Sequence, residues 1–151
     1  MQQRIEDLND AEREWLASCI DGARQLVAAY SPADASRPLD AGILDRAYSA
    51  WLATGDSDTD RINQVINAVG FAFGELLVEA ARFRWVVATD QYGCEMALLA
   101  LPGRGDVLVY PSNMVAKRWQ SRETGFLAPL FGAITQQVRD VEAKWADLPP
   151  Q

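Results

Sequence analysis

Lys117, Arg118 and Arg122 surround Trp119 in a chain that is otherwise acidic, and this cluster is the strongest candidate for chemistry in the sequence. On a helix, Arg118 and Arg122 share a face one turn apart, while Met114 and Val115 anchor the segment. Guanidinium groups stack on aromatic rings and grip carboxylates through a planar fork, so the pattern points to recognition of an acidic group or a partner surface. A solvated helix with an ion pair to Glu123 or another acid accounts for the same residues with no ligand. Arg84, Trp85 and Tyr92 extend the candidate binding set. Arg84 would add a cation, and Trp85 or Tyr92 an apolar wall, if the fold draws them into one pocket.

No residue is assigned a catalytic or metal-binding role, and no cofactor is expected. Histidine is absent, which removes His-based triads, the usual zinc and iron ligand sets and the commonest general base near neutral pH. Asp56, Asp58 and Asp60 alternate like the opening of a calcium loop. Arg61 then stands where that loop needs glycine, and Asn67 where it needs a bidentate glutamate. These acids fit better as a loop at the positive end of a following helix. Glu75 and Glu79 lie one helical turn apart with no third ligand, and Asp90 and Glu95 flank a hairpin with no evident cleft. Cys94 follows Gly93 in a turn without a partner to activate it. Arg104-Gly105-Asp106 reads as part of a hairpin turn rather than an integrin-recognition tripeptide.

The 14 basic and 21 acidic residues give a net charge of −7 over 151 residues. That balance repels phosphate backbones and anionic lipid, so neither nucleic acid nor membrane is an expected partner. Met1 to Asp10 lacks the apolar centre of a secretory signal, and the longest apolar stretch, Val69 to Ala81, is broken by Glu75 and Glu79. With only Cys19 and Cys94 and no N-x-S/T site, a cytoplasmic location with reduced thiols is the expectation.

The elements that must position these residues follow from periodicity. Asn9 and Asp10 open a first helix whose apolar side carries Trp15, Cys19, Ala23, Leu26, Val27 and Tyr30, with Leu8 as a hydrophobic staple. Ser31-Pro32 ends it. A second helix spans about 39–53 and a third about 59–83, where Gly70 and Gly74 signal close approach of another element. The period then changes. Residues 84–89, 95–101 and 106–110 read as strands joined by the turns Asp90-Gln91-Tyr92-Gly93 and Pro102-Gly103-Arg104-Gly105. Ser112 or Asn113 is expected to cap a helix running to about Arg122, and a last helix covers about 126–147 with Pro129 in its first turn. The expected class is α+β, with helices packed on one face of a small three-stranded antiparallel meander in the order α-α-α-β-β-β-α-α. The whole chain, 1–151, is expected to form a single domain, its N-terminal helical pair covering 1–55 and the remaining elements 56–147.

The motif order from Ile66 onward resembles a bacterial family known as domain-of-unknown-function family 3806. The carrying residues are the run Ile66–Leu77 (INAVGFAFGELL), Phe83–Val87 (FRWVV), Asp90–Gly93 (DQYG) and Tyr110–Arg118 (YPSNMVAKR). The similarity extends over roughly 56–138 and marks Gly70, Gly74, Trp85, Tyr92, Gly93, Pro111, Met114, Lys117 and Arg118 as family-pattern positions. It implies no activity.

The leading functional expectation is a non-catalytic module that binds an unidentified protein partner through Lys117, Arg118, Trp119 and Arg122. The alternatives are a domain or enzyme that takes a small anionic compound through Lys117, Arg118 and Arg84, and a structural homodimer formed by an apolar face left over after folding.

Overall fold

The computed structural model describes residues 3–146. In chain order the elements are β1 (Arg4–Asp7), α1 (Asp10–Tyr30), a 3-10 turn (Pro32–Asp34), α2 (Ala41–Leu52), α3 (Thr59–Ala81), β2 (Arg84–Asp90), β3 (Gly93–Ala100), β4 (Val107–Val109), α4 (Pro111–Gln120) and α5 (Leu127–Ala146). The class is α+β, as expected, but the sheet has four antiparallel strands in the order β1-β2-β3-β4. The added strand β1 comes from residues read as a polar start. Its four side chains are all exposed, so no apolar alternation betrays it. It is held by pairing to β2, from Arg4 opposite Thr89 to Asp7 opposite Val86.

The helix starts follow from local chemistry. Asn9 closes α1 with a capping box: its side chain accepts from the Glu12 N–H at 2.8 Å, and the Glu12 carboxylate accepts from the Asn9 N–H at 2.8 Å. Leu8 does not staple to its own helix turn; it is buried with Leu16 and Phe71. The buried side of α1 carries Leu16, Ala23, Leu26 and Val27. Trp15 is rotated off it and is 44% exposed. Within the D-x-D-x-D run, Asp58 is the cap of α3, accepting from the Asp60 and Arg61 N–H groups, and Asp56 accepts from the Asp58 N–H.

Helix α3 is the centre of the molecule. It is long and apolar enough to cross a membrane by length and composition, with Glu75 and Glu79 interrupting its apolar run. Its apolar residues are nonetheless packed inside the fold, with Val65, Val69, Phe73 and Leu77 at 1% exposure or less. Gly70 and Gly74 do what their spacing predicts. A Cβ at Gly70 would meet the backbone of Pro111 and Ser112, and one at Gly74 would meet the Trp85 ring and Pro111. The start of α4 and the ring of Trp85 therefore rest directly on the backbone of α3. On the sheet, Trp85, Leu98 and Ala100 join the helical core. Val86, Ala88, Ala97 and Leu99 form a separate cluster with Leu108 and Tyr110, and the Tyr110 hydroxyl accepts from Gln3 at 3.1 Å.

One buried carboxylate links the first connection to α2. Asp34 is 7% exposed and receives Nε and Nη2 of Arg46 at 2.9 and 3.1 Å together with the Ser31 hydroxyl. The hydrogen bond from Arg46 and that from Ser31 hold its carboxyl down at about 2. A lowered folded-state value means a contribution present above the unfolded value of 3.8 and lost as pH falls toward 2. The melting-temperature difference between the wild type and Arg46→Met should be constant above about pH 5 and shrink toward pH 2. A difference independent of pH down to acid unfolding would contradict this role for the pair.

Candidate functional site

The candidate site is built on α4. This helix begins with Pro111, whose missing N–H costs nothing in the first turn. Tyr110 occupies the cap position without a side-chain cap bond, so neither Ser112 nor Asn113 serves as the predicted cap. Contact with Gly70 sets the height of the helix over α3, and Val115, fully buried, fixes its rotation. Lys117 is then exposed, while Arg118 and Trp119 are half-buried.

The C-terminal end of α4 differs from the sequence reading. The helix stops at Gln120, and Arg122 lies beyond it in the left-handed region with φ 58°. The Arg122 N–H bonds to the Trp119 carbonyl and the Glu123 N–H to the Arg118 carbonyl, both at 3.0 Å, which is a Schellman ending made without glycine. Arg118 and Arg122 thus do not share a helical face. Each guanidinium is instead held over its own ring. Arg122 lies 4.3 Å from the Trp119 ring centroid and Arg118 lies 5.4 Å from that of Phe126. Arg118 donates to the Met114 carbonyl at 3.1 Å and Arg122 to the Trp119 carbonyl at 3.3 Å. Among the described residues, no carboxylate lies within 4.0 Å of Lys117, Arg118 or Arg122. The predicted ion pair to Glu123 is not formed.

Two features beneath this surface were not singled out as functional from sequence. Phe126 packs edge-on against Tyr48 with ring centroids 5.7 Å apart, so α2 forms the floor. Tyr48 and Trp51 are 0% and 1% exposed, and neither the Tyr48 hydroxyl nor the Trp51 indole N–H has a hydrogen-bond partner among the described residues. Burial pushes the Tyr48 phenol up to about 12, and the positive charge of Arg122 opposes that rise. Asp45, also on α2, accepts from the backbone N–H groups of Leu127 and Ala128 at 2.8 and 2.9 Å. It caps α5 from across the fold and holds Phe126 in place. A helical pattern can place Tyr48 and Trp51 on the apolar side of α2, but it carries no sign of which polar atoms find partners.

The remaining candidates lie elsewhere. Trp85 packs on Phe71 at 5.4 Å and donates its indole N–H to Glu75 at 2.9 Å. It joins sheet to α3, and Glu75 is its acceptor. Arg84 stands at the start of β2, 3.6 Å from Asp7. Tyr92, 88% exposed, is at the far end of that strand, roughly 20 Å away at a rise of 3.3 Å per residue. A pocket uniting Arg84 and Tyr92 around one small anion is therefore not formed. Tyr92 instead borders a cleft of about 270 Å³ with Asp90, Glu95, Tyr110 and Asn113. There, burial first and the Asp90 charge second push the Glu95 carboxyl up. A groove of about 530 Å³ runs between α1 and α3 and is lined by residues such as Trp15, Cys19, Gln25, Arg61 and Asn67. None of these residues belongs to the candidate binding set, although Trp15 is one of the side chains that could supply a homodimer face.

A protein-family model described as Domain of unknown function (DUF3806) matches residues 40–131. The match begins at the Asp40 cap of α2 and ends within α5, so α2, placed outside the resemblance on motifs alone, falls inside it. No curated protein and no solved structure matches the chain.

Proposed function

We propose that this chain, which belongs to the DUF3806 family, is a protein-interaction module rather than an enzyme and that it engages its partner through Lys117, Arg118, Trp119 and Arg122. One observation carries the reading. Two guanidiniums are held over aromatic rings yet have no carboxylate within reach among the described residues, in a chain of net charge −7. Arginine and tryptophan are enriched among the residues that dominate binding energies, and stacking reduces the side-chain entropy lost on association. The family-pattern positions Lys117 and Arg118 fall on this surface, while Gly70, Gly74, Trp85 and Pro111 are accounted for by packing.

The test is affinity capture of the tagged protein from its native lysate, read by mass spectrometry, with Lys117→Glu/Arg118→Glu alongside. A dominant protein retained by the wild type and lost by a variant of unchanged circular dichroism is the expected result. Equal retention by both would place the interface elsewhere.

A further inference from the structure

Resting on that reading of the α4 surface, we infer that its occupant is an acidic segment of the partner protein, whose carboxylate is gripped by Arg118 and Arg122 and completed by the Tyr48 hydroxyl. The donors are available. A guanidinium carries five N–H donors, and Arg118 and Arg122 each use one on a backbone carbonyl of α4. Each group is held against a ring and a backbone carbonyl, and the planar fork of a guanidinium matches a carboxylate better than a diffuse charge.

Charge selects the kind of occupant. The patch is a positive island on a chain of net charge −7. A nucleic-acid backbone or an anionic bilayer is a long negative surface and would meet the net negative charge of the rest of the chain as well. A short acidic segment touches the island alone.

The second, independent observation is the orphaned hydroxyl of Tyr48. It is enclosed, has no hydrogen-bond partner among the described residues, lies in the ring cluster with Phe126 that carries Arg118, and feels the charge of Arg122. A buried donor without an acceptor is a cost to the free protein, and an arriving carboxylate removes that cost. Because that hydroxyl is enclosed, the inference includes a local opening of the segment that joins α4 to α5.

The experiment selects phage-displayed random 16-residue peptides on the purified protein and measures the best binder by fluorescence polarisation. The expected binders are rich in Asp and Glu. Changing the peptide's acids to their amides, or Arg122→Gln in the protein, should weaken binding tenfold or more. Tyr48→Phe should weaken it threefold or more while melting at the wild-type temperature or above, a combination that a purely structural hydroxyl would not give. Neutral or basic peptides, acidic peptides indifferent to Arg122→Gln, or no selected peptide at all would overturn the inference. So would phosphatidylserine vesicles that bind more tightly than any peptide and are released by the same substitution. If lysate capture still depends on Lys117 and Arg118 in those cases, the interface reading stands and only the acidic occupant falls. If capture ignores those residues, the interface reading itself fails.

Discussion

Gly70→Ala is expected to destabilise the protein by about 1–3 kcal/mol, a fall in melting temperature of roughly 2–12 °C for a domain of this size. The added methyl would sit 2.6 Å from Ser112 Cα, 3.0 Å from Ser112 N and 3.2 Å from the Pro111 carbonyl carbon. These are backbone atoms of the first turn of α4, so no rotamer change relieves the overlap and the two helices must separate. Alanine brings a helix-propensity gain of up to about 1 kcal/mol, which is too small to offset the loss. Gly132→Ala is the matched control, because in α5 the new methyl meets nothing within 4 Å among the described residues beyond its own stretch of helix, and the same gain should appear as added stability. Urea melts of the two variants decide the matter. If Gly70→Ala is as stable as Gly132→Ala, α3 and α4 do not touch as described. Separation of α4 from α3 also displaces Arg118 and Trp119, so partner capture should fall along with stability.

Asp45→Ala should cost about 2–3 kcal/mol, the loss of two charge-assisted hydrogen bonds at a helix start. Its two carboxylate oxygens receive the first two backbone N–H groups of α5, and the positive end of that helix adds to the attraction. Asp45→Asn keeps one acceptor oxygen and should lose about half as much. Because the cap joins α2 to the start of α5, the alanine variant should also loosen the packing of Phe126 on Tyr48, visible as a change in near-ultraviolet circular dichroism. Unfolding of Asp45→Ala within about 0.5 kcal/mol of wild type, the range of ordinary surface substitutions, would exclude this role.

The helices and the three-strand meander were legible because their signals are local. Asn9 and Asp10 at the start of α1, the acidic loop before α3, Pro111 after β4 and the apolar periods of α2 and α5 each act within a few residues. What escaped the sequence reading depends on distant partners. Strand β1 has no exposed–buried alternation and owes its conformation to β2. The cap on α5 comes from Asp45, 82 residues away. Gly70 and Gly74 announced a close approach without saying to what, and the answer is Ser112 and Trp85. At the site, the Lys117–Arg122 cluster was visible as composition. The ring under each arginine and the break before Arg122 were not, because a helical wheel assumes that the helix continues. Glu75, whose spacing from Glu79 pointed at most to the solvent side of a helix, is the acceptor of the Trp85 indole N–H.

The pairing of β1 with β2 also bears on how the chain is made. Residues 4–7 emerge from the ribosome some 80 positions ahead of their partners 86–89, a wait on the order of 4–16 s at 5–20 residues per second. Throughout that interval the segment has no mate, and an unmated strand is a place where nascent chains join edge to edge. Arg4, Glu6 and Asp7 put charges on three of its four positions, with Arg4 and Glu6 in contact at 2.8 Å in the finished fold. The lack of apolar pattern that hid this strand from the sequence reading keeps it soluble until translation has delivered β2.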